Sequence, residues 1–192
     1  MRSMSIESTK RSIRREMKAA CKGVRPEVCG QAGIQMASFL AHMPEFEAGH
    51  RLGLFASSQG EPDTRPLFEL IVSSGREAFF PRCRPDGTLD FVSTASWCDL
   101  TVGRFGILEP PAAARPVDLT SIDLFLVPGL AFDRRGGRLG RGGGFYDRSL
   151  SHSSPLFGLA LSLQWVDFVP MAEHDRKMRG VLTEEGLTRV QD

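Results

Sequence analysis

Short apolar segments alternate with helical patterns along this chain, and this alternation constrains its fold more than any other feature. The strongest strand-like segment is Ile122–Pro128, in which five of seven residues are large and apolar. A run of this kind is typical of a strand that is buried on both faces, as in a parallel sheet. Helices between such strands cover the two faces. The sequence therefore predicts a single α/β domain with a mostly parallel sheet between two helical layers.

Further helices and strands are predicted on both sides of this segment. The predicted helices cover Lys10–Lys22, Pro26–Leu40 and Pro66–Ser73. The predicted strands cover Arg51–Phe55, Glu77–Pro81, Leu89–Val92, Phe157–Leu161 and Gly180–Thr183. The third of these strands is expected to be exposed, and Gly106–Pro111 is expected to be extended because prolines limit it. Ligands of parallel sheets bind beyond the carboxyl ends of the strands, so the loops that follow these strands are the candidate site.

Size and charge limit the architecture and the partners. The 192 residues suffice for one sizeable domain, 1–192, in which residues 1–9 are expected to form a disordered tail. A net charge of +1 creates no overall field that attracts nucleic acid or an anionic membrane. No secretory signal and no apolar run of about 20 residues is found. We expect a cytoplasmic monomer with no nucleic-acid or membrane partner.

The cysteines indicate neither a zinc site nor a disulfide framework. Cys21, Cys29, Cys83 and Cys98 form no CxxC pair and have no regular spacing. Spacings of that kind are what metal sites and disulfide scaffolds require. We expect reduced thiols.

A loop rich in arginine and glycine follows the strongest strand. Five arginines and six glycines lie between Arg134 and Arg148. Glycine allows positive φ and close approach of backbone N–H groups to a ligand, and arginine binds phosphate through a planar fork of donors. The loop is neither a Walker A motif nor a GxGxxG fingerprint, since residue 145 is phenylalanine. It predicts a polyphosphate site, although a surface loop with solvated arginines is the alternative.

Other polar residues are candidates for the same site. Asp147 follows the loop and is the type of ligand that Mg²⁺ takes beside phosphates, although it would also suit the first turn of a helix. Lys10 and Arg14 lie on one helix face and can reach one anion, although such a face is usually solvated. Glu61 lies between a strand and a helix, where it would orient a polar ligand or be an ordinary loop acid.

The motifs taken together resemble the 5-formyltetrahydrofolate cyclo-ligase family. They follow the family's order over nearly the whole chain, and the loop motif is the specific one. The matching segments are Lys10–Arg14, Gln59–Thr64, Gly106–Pro110, Val127–Asp133, Arg138–Asp147, His174–Asp175 and Val181–Glu184.

The resemblance implies a fold, a reaction and a set of ligands. The fold would be a three-layer α/β/α sandwich related to ribose-5-phosphate isomerase and CoA transferases. The ligands would be ATP, Mg²⁺ and 5-formyltetrahydrofolate. ATP would phosphorylate the formyl oxygen, N10 of the folate would attack the formyl carbon, and phosphate would leave with formation of 5,10-methenyltetrahydrofolate.

The resemblance also implies roles for individual residues. The ATP site would consist of Lys10, Arg11, Ser12, Ile13, Arg14, Arg138, Leu139, Gly140, Arg141, Gly142, Gly143, Gly144, Phe145 and Tyr146. The folate site would consist of Ala56, Glu61, Phe105, Arg141, Gly142, Gly143, Gly144 and Phe145. The catalytic residues would be Arg141 and Tyr146, and the Mg²⁺ ligands would be Asp147 and Asp175.

Three positions depart from the family's pattern. Gly143 stands where some relatives have lysine, Phe145 where tyrosine is frequent, and Arg179 where aspartate often precedes the last strand. These departures leave room for a paralogue that uses another acceptor or binds folate in a regulatory role. A second alternative is an RNA-binding module, because Arg141–Phe145 resembles an RGG segment.

Overall fold

The computed structural model describes residues 6–150, 154–172 and 175–190. The helices are α1 (Ile6–Lys22), α2 (Pro26–Leu40), α3 (Pro44–Ala48), α4 (Arg65–Ser73) and α5 (Phe145–Ser149). The strands are β1 (Arg51–Gly53), β2 (Glu77–Cys83), β3 (Leu89–Thr94), β4 (Thr101–Val102), β5 (Leu108–Glu109), β6 (Leu124–Pro128), β7 (Ala131–Phe132), β8 (Arg138–Leu139), β9 (Leu156–Leu159), β10 (Gly180–Thr183) and β11 (Gly186–Arg189). None of the helices in the described ranges is long and apolar enough to cross a membrane.

Seven strands form one mixed sheet in the order β11-β10-β9-β6-β1-β2-β3. The five inner strands are parallel to one another, and the edge strands β3 and β11 are antiparallel to them. Leu52 of β1 pairs with Ala78 of β2 on one side and with Leu124 of β6 on the other. The mostly parallel sheet predicted from the sequence is confirmed.

Both faces of the sheet are buried, which explains the unbroken apolar pattern of β6. Leu124 and Leu126 pack into a core on one face that includes residues of α2 and α4. Phe125 and Val127 pack into a second core on the opposite face, which α5 partly covers. Alternate residues of one strand therefore serve two cores, as three layers require.

Two expectations about the chain need correction. Helix α1 begins at Ile6, so residues 6–9 form its first turn rather than part of a disordered tail, and residues 1–5 lie outside the described ranges. Strand β3 was expected to be exposed, but Leu89, Phe91 and Val92 are buried. The reason is that β3 extends the sheet at its edge and faces the second core, where the Phe91 ring meets the Phe125 ring edge to face at 5.1 Å.

Candidate functional site

A pocket of about 690 Å³ lies beyond the carboxyl ends of three parallel strands. Phe55 and Ala56 follow β1, Cys83 ends β2, and Gly129 follows β6, and all four line the pocket. The C-terminal end of α1 supplies Lys18, Cys21 and Lys22 to the wall. Ligand pockets usually have about 300–1,000 Å³, so the volume suits an organic ligand of folate or nucleotide size. The pocket lies at the edge of the sheet where the sequence predicts the site.

The first half of the arginine–glycine segment is a β-hairpin, and Arg138 of its second strand lines the pocket. Strands β7 and β8 pair, and the carboxylate of Asp133 holds the turn between them. It accepts hydrogen bonds from the backbone N–H groups of Arg135, Gly137 and Val169, each at 2.8 Å. Arg134 stacks over Trp165, with 5.2 Å between the guanidinium carbon and the ring centroid, and does not line the pocket.

The second half of the segment forms one wall of the pocket. The lining residues from this half are Gly140, Arg141, Gly143, Gly144, Phe145, Tyr146 and Asp147. Gly142 has a φ of 107° and Gly144 a φ of 67°, conformations that favour glycine. A Cβ at Gly144 would also lie 2.5 Å from the Arg148 guanidinium, which would have to move.

Arg141 joins this wall to the segment that follows β1. Its Nη2 donates to Glu61 Oε1 and to Ser58 Oγ, both at 2.9 Å. The other carboxylate oxygen of Glu61 accepts from Ser58 N at 2.8 Å and from Ser58 Oγ at 3.0 Å. Glu61 is buried, whereas the Arg141 side chain is 46% exposed and keeps donors for a ligand. The structure thus brings together two residues that are 80 positions apart in the sequence.

Arg138 and Asp147 form the second ion pair of the pocket. The Nη2 of Arg138 lies 2.7 Å from Asp147 Oδ1, and its Nη1 donates to Pro128 O at 3.0 Å. The Arg138 guanidinium also stacks over the Tyr146 ring at 5.5 Å. Desolvation of the Tyr146 phenol raises its pKa, so this group stays neutral and can donate a hydrogen bond.

The described residues contain no cluster of three or more histidine, cysteine or acidic side chains that could hold a metal ion. Asp147 lines the pocket and offers one carboxylate. Mg²⁺ in proteins is usually bound by one or two carboxylates, with phosphate oxygens and water as the remaining ligands. The single carboxylate of Asp147 is consistent with this coordination. His174 lies outside the described residues, and Asp175 does not line the pocket.

The predicted ATP contacts of α1 occupy different environments. Lys10 is buried and forms an ion pair with Asp175 at 2.6 Å. Arg14 donates to the carbonyl oxygen of Gly140 at 3.2 Å and so touches the loop. Ser12 donates to Glu16 within the helix at 3.0 Å.

Two further predicted ATP contacts have apolar side chains that serve the core. Ile13 packs against Leu139, Ala131 and Val169, and Leu139 is buried. Contact of these residues with a ligand would therefore have to use their backbone. Arg11 is exposed.

The rim of the pocket carries an aromatic pair. Phe105 has a φ of 61°, is 67% exposed, and meets Phe145 edge to face at 6.0 Å. The Arg104 guanidinium lies 5.0 Å from the Phe105 centroid and 5.8 Å from the Phe145 centroid. A non-glycine residue at positive φ costs free energy, and such strain is concentrated at functional sites. The pair offers an apolar surface on which a flat ring can stack.

Sequence reasoning assigned no role to two further residues of the pocket wall. Glu109 of β5 is buried, and Cys83 ends β2. Burial raises the pKa of the Cys83 thiol to about 12, and hydrogen bonding to the Glu109 carboxylate acts in the same direction. The extended segment around Glu109 was predicted, but nothing in its pattern shows that this side chain faces a cavity.

Comparison with known proteins gives consistent results over nearly the whole chain. The sequence model of the 5-formyltetrahydrofolate cyclo-ligase family matches residues 6–184. The 5-formyltetrahydrofolate cyclo-ligase of Escherichia coli K12 is 33% identical, over 84% of this chain and 93% of that protein. The mouse protein of the same name is 27% identical, over 96% and 98%. The structure of Aquifex aeolicus 5,10-methenyltetrahydrofolate synthetase superposes with a TM-score of 0.83 at 29% identity, covering 95% and 93% of the two chains.

Proposed function

The chain belongs to the 5-formyltetrahydrofolate cyclo-ligase family and is an enzyme of that class, and we propose that its reaction consumes ATP and requires Mg²⁺. The products would be 5,10-methenyltetrahydrofolate, ADP and phosphate. The observation that carries the proposal is the single pocket in which Arg141, Glu61, Arg138 and Asp147 meet. One part of its wall is rich in guanidinium groups, as phosphoryl transfer requires.

The proposed chemistry needs positioning and charge neutralisation more than a protein nucleophile. The formyl oxygen attacks the γ-phosphorus, an O–P bond forms, and the bond to ADP breaks. N10 of the folate then attacks the formyl carbon and loses its proton, and the bond between the formyl carbon and the phosphorylated oxygen breaks to release phosphate. Arg141 keeps free guanidinium donors beside Glu61, so it can bind the phosphoryl oxygens while Glu61 fixes its orientation.

The other loop residues support these two ligands. Arg14 contacts the loop through Gly140, and we place the ATP phosphates on that side. The Phe105–Phe145 pair offers the stacking surface for the folate ring. Lys10 and Asp175 neutralise each other at 2.6 Å, so a role for either at the phosphates or the metal requires this ion pair to open.

Asp147 would hold Mg²⁺ together with phosphate oxygens, and the ion would supply positive charge to the transferring group. Because Arg138 already partners this carboxylate at 2.7 Å, metal binding would share or displace that contact. We expect Asp147→Asn to raise the Mg²⁺ concentration needed for half-maximal activity. An unchanged Mg²⁺ titration would remove Asp147 from the metal site.

The RNA-binding alternative gains no support from the loop. RGG segments bind RNA as flexible, exposed chains that fold on binding. Here Arg141 is bonded to Ser58 and Glu61, and Arg148 is bonded to the carbonyl oxygens of Gly87 and Gly143. The segment is part of an ordered wall.

The test compares two arginines of the same sequence segment. Purified protein is given 5-formyltetrahydrofolate, ATP and Mg²⁺, and the near-ultraviolet absorbance of the methenyl product is followed, with ATP or Mg²⁺ omitted in controls. We expect Arg141→Ala to lower kcat/KM by about 100- to 1,000-fold, as loss of a transition-state donor does. Arg134→Ala is the matched control, because Arg134 stacks outside the pocket and should change the rate by less than about twofold.

Two results would contradict the proposal. The first is product formation at the full rate without ATP. The second is an equal loss of activity in the Arg141 and Arg134 variants, which would mean that the pocket arginine has no special part in the reaction.

A further inference from the structure

We propose that Glu109 binds the amino-pyrimidinone edge of the folate ring and thereby sets the specificity of the pocket. This inference rests on the proposed function, because it takes folate as the ligand. The pyrimidinone ring of a tetrahydropterin carries a 2-amino group next to its N3–H, so two donors point the same way. A carboxylate accepts such a pair through both oxygens, as it does from the fork of an arginine.

The position of Glu109 suits this role. The residue ends the two-residue strand β5, is 8% exposed and lines the pocket. Its carboxylate packs against the backbone of Gly103, where an added Cβ would lie 2.6 Å from Oε2. Ile107, two residues earlier, lines the same pocket. The carboxylate is thus fixed in a wall that also offers apolar surface to a ring.

Glu109 differs from the other acidic residues of the pocket in what surrounds it. Glu61 is occupied by Arg141 and Ser58, and Asp147 by Arg138. Within the described part of the chain, no Lys, Arg or His nitrogen lies within 4 Å of the Glu109 carboxylate. Among the described residues, only the Cys83 thiol forms a hydrogen bond with this carboxylate.

A buried carboxylate with so few donors is stabilised by a ligand that brings them. Leaving such a group unpaired costs free energy, and the cost disappears when N–H donors fill the site. A phosphate at the same place would be repelled, since both groups are negative. The pocket therefore has two polar regions of opposite preference, one for phosphate around Arg141 and one for N–H donors at Glu109.

The two polar regions of the pocket also separate the role of Glu61 from that of Glu109. The sequence resemblance gives Glu61 the polar side of the pterin, yet three hydrogen bonds already occupy its two oxygens. Glu61 retains little capacity for a further pair of donors, whereas Glu109 retains most of its own. The structure thus favours Glu109 as the carboxylate that binds the amino-pyrimidinone edge of the ring, and Glu61 as the residue that orients Arg141.

The experiment pairs a protein substitution with a ligand substitution. Dissociation constants are measured by calorimetry, without ATP, for 5-formyltetrahydrofolate and for its 2-desamino analogue. We expect wild-type protein to bind the parent about 10- to 100-fold more tightly, as expected for one hydrogen bond to a buried charge. In Glu109→Ala the two ligands should bind within about threefold of each other, and KM for ATP should stay the same.

Further variants guard against an effect on folding. Glu109→Gln keeps the shape and one acceptor, so its preference for the parent should be intermediate, and thermal melting should show a folded protein. Glu69→Ala removes an exposed glutamate that pairs with Arg65 and should keep the full preference.

Failure of this inference can be told from failure of the proposed function. A wild-type preference that persists in folded Glu109→Ala or Glu109→Gln would overturn the role of Glu109 while folate binding and turnover stand. Wild-type protein that binds neither folate would overturn the proposed function, and the inference with it.

Discussion

Asp133→Asn tests how the hairpin that presents Arg138 is held. Asp133 is 1% exposed, and three backbone N–H groups donate to its two oxygens at 2.8 Å. Asparagine keeps one acceptor oxygen and replaces the other with an NH₂ donor. Whichever way the amide turns, at least one N–H group loses its acceptor and faces another donor.

The magnitude follows from these contacts. A hydrogen bond to a charged group contributes about 1.5–3 kcal/mol, and an unsatisfied buried donor costs about 1–3 kcal/mol. Because part of this loss is relieved by relaxation, we expect Asp133→Asn to lower the free energy of unfolding by about 2–4 kcal/mol. For a chain of this size, that corresponds to a fall in Tm of about 4–16 °C.

The assay is urea denaturation combined with thermal melting at neutral pH. Asp118→Asn is the matched control, because the Asp118 carboxylate also accepts from a nearby backbone N–H, at 3.0 Å from Thr120 N, but is exposed. We expect the control to lose about 1 kcal/mol or less. If Asp133→Asn melts within 2 °C of the wild type, the idea that this carboxylate holds the hairpin is wrong.

Two further predictions concern the frame around the pocket. Glu45 pairs with Arg189 through two contacts of 2.7 and 2.8 Å, and these contacts lower the pKa of Glu45 from its usual value of 4.5. The ion pair therefore stabilises the fold above pH 4.5, and this stabilisation disappears as the pH falls through the lowered pKa. Glu45→Gln should therefore lower the free energy of unfolding by about 0.5–1 kcal/mol at pH 7 and by almost nothing near pH 2 in urea titrations, and an equal loss at both would contradict this reading. Gly60→Ala should lower it by about 1–3 kcal/mol or more, because φ is +81° and the Cβ would lie 2.5 Å from Cys21 O. Gly75→Ala is the control, because Gly75 has a φ of +76° and an added Cβ there would have no atom within 4 Å, so this variant measures the backbone strain without a clash. Equal losses of unfolding free energy in the two variants would show that the clash at position 60 is relieved.

Much of the sheet could be predicted because its strands are buried on both faces. The strand around Leu124 lies within the predicted Ile122–Pro128, and the strand Gly180–Thr183 was predicted with its bounds. Such runs are readable because each residue enters one core or the other. The short strands β4, β7, β8 and β11 were missed, since two to four residues carry no period that distinguishes strand from loop.

The candidate site was predictable only where composition is unusual. Glycine and arginine marked the wall around Arg141, but the same composition hid the hairpin at Arg134, because the turn depends on a single acid, Asp133, that no local pattern singles out. The ion pair of Arg141 with Glu61 spans 80 residues, and the exposure of Glu109 to the pocket depends on the placement of β5. Contacts of this kind come from tertiary packing, which local sequence patterns do not encode.

The measurement that tests the central claim most directly follows the formyl oxygen through the reaction. Substrate labelled with ¹⁸O in the formyl group is converted in the presence of ATP and Mg²⁺, and the released phosphate is analysed by mass spectrometry. If the formyl oxygen attacks the γ-phosphorus in this pocket, each phosphate carries one labelled oxygen. Unlabelled phosphate, with product formed at the normal rate, would contradict the proposed phosphoryl transfer.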